Sequence, residues 1–191
     1  RELANAAQNY HVNNLTFPQG DAPSFVDENG LPHLSWRVYL LPYLGHGNLY
    51  KQFNIDESWD SANNLPLLSQ MPDVFRSAGD QAGSTTTRIL QFTGDDAPFL
   101  NHDGRYGKIG ARIRDFRDGL GNTILYVEAG TDRAVEWTRP DDIAFDINAP
   151  LAGLGDLSDG QIRGVLADGS IAHLGTDIDA STFSALVTHQ G

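Results

Sequence analysis

Apolar positions along the chain run at a period of three to four in the first third, change to two from residue 85, and return to helical spacing near the end. In "RELANAAQNYHV" (1–12), Leu3, Ala6, Ala7 and Tyr10 fall at helical spacing ahead of the turn-prone "NNLTFPQGDAPS", so residues 1–12 are expected to be the last turns of a helix. In "SWRVYLLPYLGHGNLYKQF" (35–53), Ser35 can cap a helix on which Trp36, Tyr39, Leu40, Tyr43 and Leu44 recur at i, i+3, i+4, i+7 and i+8. Pro42 removes an N–H and is expected to kink or split that helix before "GHG" (45–47) loosens the backbone. A short helix is predicted around Asn63 to Gln70, ending at Met71-Pro72. The later alternation predicts strands at 85–93, 109–116, 122–130 and 134–138. Two more, 161–167 and 170–175, flank Asp168-Gly169 as a hairpin. A final helix, capped by Asp179 or Ser181, is predicted through 182–189 with Phe183, Leu186 and Val187 on one face. Helices first, a mostly antiparallel sheet next and one closing helix define an α+β class.

The aromatic stretch 35–53 carries Arg37, Pro42 and two glycines, which excludes a membrane helix and leaves a core helix or the wall of an aromatic ligand site. The segment 139–160 is rich in Pro, Gly and Asp and is predicted to be a long ordered surface loop, where variable function concentrates.

At 191 residues with 40% hydrophobic content, the chain suits a single domain with a sizeable core. Its 13 basic and 25 acidic residues give a net charge of −12, which repels phosphate backbones and argues against duplex nucleic acid as a partner. With no cysteine there is no zinc ribbon, disulfide scaffold or thiol nucleophile. The sequence opens on Arg1 rather than Met, and the expectation is a processed or truncated piece whose upstream part holds a signal or anchor.

Local catalytic signatures are missing. The glycines of "GRYGKIG" (104–110) do not have GxGxxG spacing, and neither GxxxxGK[ST] nor GxSxG occurs. The histidines His11, His33, His46, His102, His173 and His189 are scattered, with no HExxH pair. Carboxylates cluster at Asp56, Glu57 and Asp60, at Asp95 and Asp96, at Asp115 and Asp118, at Asp141 and Asp142, and at Asp177 and Asp179. None matches the EF-hand register, so the metal assignment stays unknown: an irregular calcium site is one reading and solvated turns the other. Arg37 is expected to pack beside a carboxylate such as Asp60 or Glu128.

Six blocks, in order, resemble the DUF1559 family. They are "NYHVNNLTFP" (9–18), "LSWRVYLLPYLGHGNLYKQFNIDESWDSANN" (34–64), "MPDVFRS" (71–77), "RDFRDGLGNTILYVEAG" (114–130), "EWTRPDDIAFD" (136–146) and "GVLADGSIAHL" (164–174). The resemblance implies a pilin-like protein of the kind abundant in planctomycete-type bacteria. Such proteins usually carry a prepilin leader and an apolar N-terminal helix ahead of a soluble domain. Two departures are local: Ser158 stands where the family's C-terminal histidine is expected, and Leu120 and Gly121 replace Thr and Ser in its Asp-Gly-Thr-Ser-Asn-Thr block. No metal or catalytic role is therefore carried onto that loop.

The resemblance implies a non-enzymatic pilin-like or pseudopilin subunit of a type II secretion or type IV pilus-like filament. It would be extracytoplasmic, anchored in the membrane before assembly, and would need no cofactor. Its partners would be other subunits or the secretion machinery. Two alternatives stand beside it: an extracytoplasmic solute- or sugar-binding module using Trp59 and Trp137 as a ligand platform, and a hydrolase whose site is assembled from distant residues.

Overall fold

A computed structural model describes residues 1–18, 33–94, 97 and 111–188. Helix α1 (Glu2–Asn14) buries Leu3, Ala4, Ala6 and Ala7 and ends at Leu15, whose left-handed φ of 63° lets its N–H reach the His11 carbonyl. The predicted second helix forms in pieces. Helix α2 (Trp36–Leu40) is capped by Ser35, whose Oγ accepts from the Arg37 N–H; Pro42 opens a 3-10 turn over Leu41–Leu44, and Gly45 at φ 81° ends it before α3 (Gly47–Tyr50). Proline thus splits the helix without turning its apolar stripe away: Trp36, Tyr39, Leu40 and Leu44 are all buried.

The third helical prediction appears as a 3-10 turn at Leu65–Gln70. What fixes the loop before it is Asn64, which has no exposed surface. Its Nδ2 donates to the carbonyls of Asn54, Glu57 and Ser58, and its Oδ1 accepts from the Asn54 N–H. One side chain thus replaces the backbone ladder that this turn lacks. Asn64→Ala leaves those carbonyls and one N–H without partners and is expected to cost about 2–3 kcal/mol. Urea denaturation would measure the loss, and limited proteolysis should cut first within 54–64.

The run 85–93 does not form one strand. It divides into β1 (Thr86–Thr87), β2 (Ile89–Leu90) and β3 (Phe92–Thr93). Next come β4 (Ile124–Glu128), β5 (Val135–Glu136), β6 (Ile143–Ala144), β7 (Gln161–Leu166) and β8 (Ile171–Gly175). β1 pairs antiparallel with β5, β2 with β4 in the four-stranded sheet β2-β4-β7-β8, and β3 parallel with β6. The backbone is extended as expected, but burial does not alternate, since Leu90, Gln91 and Phe92 are buried in succession, and each pair of residues finds a different partner. The described part of the predicted strand 109–116 is a 3-10 turn at Ile113–Asp115, where the Arg112 N–H donates to Asp115. The β7–β8 hairpin forms around Asp168-Gly169 with a three-residue loop closed by the Leu166 N–H on the Ser170 carbonyl, and Gly169 takes the left-handed φ of 91° that this loop requires.

The closing helix α4 (Ala180–Val187) is capped by Asp179, whose carboxylate accepts from the Thr182 N–H. It buries Phe183 and Val187 and stops two residues short of the expected end. Most of the segment 139–160 is irregular and at least partly exposed, but it is not surface throughout. It contains β6 and a 3-10 turn at Ala152–Leu154, and Ile143 and Leu154 are buried because they extend the core beneath α4. Two apolar clusters share β4: Leu125 and Tyr126 join the one built on α1 and α2, while Ile124 and Val127 join the one with Phe183 and Val187 of α4. The class is α+β, an N-terminal helix with short helices and a mostly antiparallel sheet.

Candidate functional site

Three junctions hold the described elements together, and the first is the seat of α1. Ala167 and Asp168 in the β7–β8 turn donate their N–H groups to the carbonyls of Thr123 (2.9 Å) and Leu120 (3.1 Å), so the hairpin tip docks on the turn before β4. Gln8 on α1 donates from Nε2 to the Ala167 carbonyl. A β-carbon on Gly169 would stand 3.6 Å from that of Ala4, so the helix lies closely over the turn. Small residues make this approach possible: Ala4, Ala6 and Ala7 are each at most 1% exposed. Further along α1, Tyr10 meets Tyr43 edge-on at 5.5 Å, and burial pushes its hydroxyl pKa up to about 12. Gly121 occupies a site where a β-carbon would come within 3.1 Å of the Asp168 carboxylate.

The second junction is a buried ion pair that ties α2 to the chain after β5. Arg37 has no exposed surface. Its Nη2 lies 3.1 Å from Asp142 Oδ1, its Nε and Nη2 donate to the Ile89 carbonyl (3.0 and 2.7 Å), and its Nη1 donates to Ser35 Oγ (2.6 Å). Asp142 Oδ1 also accepts from Trp36 Nε1 (3.2 Å) and the Gln91 N–H (2.9 Å). Burial works against both charges, raising the Asp142 carboxyl and lowering the Arg37 guanidinium, and each charge opposes the shift in the other. The partner is thus Asp142 rather than Asp60 or Glu128: Asp60 accepts from Ser58 Oγ, and Glu128 lies 3.4 Å from Arg88. With Arg37 sealed and its donors filled, the cluster fastens elements and offers no room for a substrate. The third junction is the Asn64 turn already described.

The two tryptophans do not form a joint platform. Trp137 has no exposed surface: its ring stacks on Phe75 at 5.8 Å, meets Phe53 edge-on at 5.8 Å and donates from Nε1 to the Leu68 carbonyl. Period two placed it on a strand but could not say which face was covered. Trp59 is half-buried, with the Arg139 guanidinium 5.7 Å from its ring centroid. Ser158 is exposed in the turn before β7. Among the described residues, no three His, Asp or Glu side chains come together to hold a metal. Their carboxylates instead fix turns: Glu57 accepts from Asn63, Asp115 from the Arg112 N–H and Asp179 from the first turn of α4. His11 lies over Phe17 at 5.0 Å, and His46 is exposed at the start of α3. His102, His189, Asp95, Asp96 and "GRYGKIG" fall outside the described residues.

These junctions coincide with the blocks singled out in the sequence. "DGLGNT" meets "ADG" beneath α1, "SWRV" meets "TRPDD" at the ion pair, and "WDSANN" supplies Asn64. A family model labelled SBP_bac_10 and described as "Protein of unknown function (DUF1559)" matches residues 1–181. The chain belongs to the DUF1559 family. No curated protein and no solved structure matches it. In this DUF1559 chain, four of the six blocks that carry the likeness hold one part of the fold against another. The residues sequence reasoning missed include Asp142 and Gln8, both partners from distant parts of the chain, and Asn64, which acts within its own turn. Asp142 had a signal, as one of two adjacent carboxylates inside a resembling block; Gln8 had none.

Proposed function

We propose that this DUF1559 chain is the non-enzymatic soluble part of a pilin-like or pseudopilin subunit, acting outside the cytoplasm in a type II secretion or type IV pilus-like filament. The observation that carries the reading is the seat of α1. The helix is clamped along its Leu3–Ala7 face by the β7–β8 turn and the turn before β4, while Asn5, Asn9 and Asn13 remain exposed on the other side. A subunit that stacks through its helix needs this division, one face fixed to its own sheet and one left for neighbours.

The chain has no cysteine, so a single reporter is clean. With Asn9→Cys expressed from the natural gene in its host, a bismaleimide reagent is expected to produce a cross-linked dimer in the envelope fraction. The dimer should vanish when the host's filament-assembly ATPase is deleted. Monomer alone in the envelope, or a dimer that survives the deletion, would overturn the reading. The label SBP_bac_10 supports a binding role as a second reading, but the buried Trp137 removes the aromatic platform first considered for it.

A further inference from the structure

Between β1 and the turn at Thr131–Arg133 lies an open cavity of about 420 Å³ that belongs to none of the three junctions. Its near wall is the loop 77–84, "SAGDQAGS", held in shape from within. Asp80 accepts from the Ser77 N–H through Oδ2 (2.9 Å) and from Arg88 through Oδ1 (3.3 Å to Nε, 3.1 Å to Nη2). Arg88 also donates to the Ala129 carbonyl (2.9 Å) and lies 3.4 Å from Glu128. The loop's two glycines take left-handed φ values of 90° (Gly79) and 79° (Gly83), and a β-carbon at either would meet nothing within 4 Å, so the mouth stays open.

The polar side chains lining the space are Asp80, Gln81, Ser84, Thr86, Arg88 and Thr131; Ala82 and Ala134 complete the walls, and no residue among them is aromatic. This set narrows the ligand. The one cation, Arg88, is balanced by Asp80 and Glu128, so an inorganic anion gains no net attraction. Both Asp80 oxygens already accept hydrogen bonds from the protein, which disfavours a bare metal ion. What remains is a neutral molecule that both donates and accepts. Neighbouring hydroxyls on a sugar ring match the two-atom span of the Gln81 side-chain amide, and Ser84, Thr86 and Thr131 add hydroxyls that serve in either direction. The volume sits at the small end of ligand pockets, which run from about 300 Å³ upward. We propose that this hollow binds a monosaccharide of the hexose class.

The test is a titration of the isotope-labelled chain, followed by amide NMR, with D-glucose, D-galactose and D-mannose, and in separate arms with maltotriose and sodium sulfate. At least one hexose is expected to shift amides of 79–88 and 131–134 and no others, saturating in the millimolar range, which is the strength of a few exposed hydrogen bonds. Ala82→Trp, an exposed position on the cavity wall, is expected to weaken that binding at least about tenfold with an unchanged melting temperature. No shift with any hexose overturns the proposal, as do shifts that persist in Ala82→Trp. Saturation by maltotriose without glucose replaces it with a glycan-chain site, and saturation by sulfate replaces it with an anion site. A chain that fails to cross-link in the host can still bind sugar, and one that binds no sugar can still assemble, so the two failures are distinguishable.

Discussion

Asp142→Ala is expected to cost about 3–5 kcal/mol of folding stability, the range for removing one member of a buried ion pair. Arg37 would be left with a full charge and no surface in water, while Trp36 Nε1 and the Gln91 N–H would lose the same acceptor. At this chain length each kcal/mol moves the melting temperature by roughly 2–4 °C, so a drop of about 10 °C is expected in a thermal scan. Asp142→Asn supplies the control. It keeps an oxygen for the two neutral donors and removes only the charge, so it should fall between the native chain and alanine. The double change Arg37→Met with Asp142→Leu takes both charges away and should recover part of the loss, although the Ile89 carbonyl then lacks its donor. If Asp142→Ala melts within about 3 °C of the native chain, the pair is hydrated and does not clasp the fold.

Trp137→Ala should cost a similar amount, about 3–5 kcal/mol, through a different mechanism. A fully buried indole is removed from between Phe53 and Phe75, and the cavity left behind is walled by rings that cannot collapse far. Trp137→Phe keeps a ring against Phe75 but loses the bond to the Leu68 carbonyl and part of the buried volume, for which about 2–3 kcal/mol is expected. Urea denaturation should therefore place phenylalanine between the native chain and alanine. A change below 1 kcal/mol in Trp137→Ala would mean that the indole is exposed in solution and would return the ligand platform to consideration.

Much of the architecture was legible from period and turn chemistry. Leu3, Ala6, Ala7 and Tyr10 marked α1, Ser35 its neighbour's cap, Asp168-Gly169 the hairpin and Asp179 the last helix. These are signals in which a residue and its partner lie within a few positions of each other. The failures share the opposite property. Period two in 85–93 predicts extended backbone but says nothing about which strand supplies the hydrogen bonds; three different strands do, and Leu90, Gln91 and Phe92 are buried in succession as a result. Arg37 announced a buried partner without naming it, because Asp142 lies 105 residues away. The segment 139–160 looked like surface because Pro, Gly and Asp dominate it, yet Ile143 and Leu154 were enough to anchor it. The cavity beside β1 gave no motif at all, since the loop 79–84, the strand edge at Thr86 and Arg88, and the turn at Thr131 each supply part of its lining.

The eight residues from Thr86 to Thr93 act as a common spine for three separate ladders. Because that run is the shared edge of pairings with β5, β4 and β6, a substitution that displaces its backbone would loosen three distant parts of the chain together.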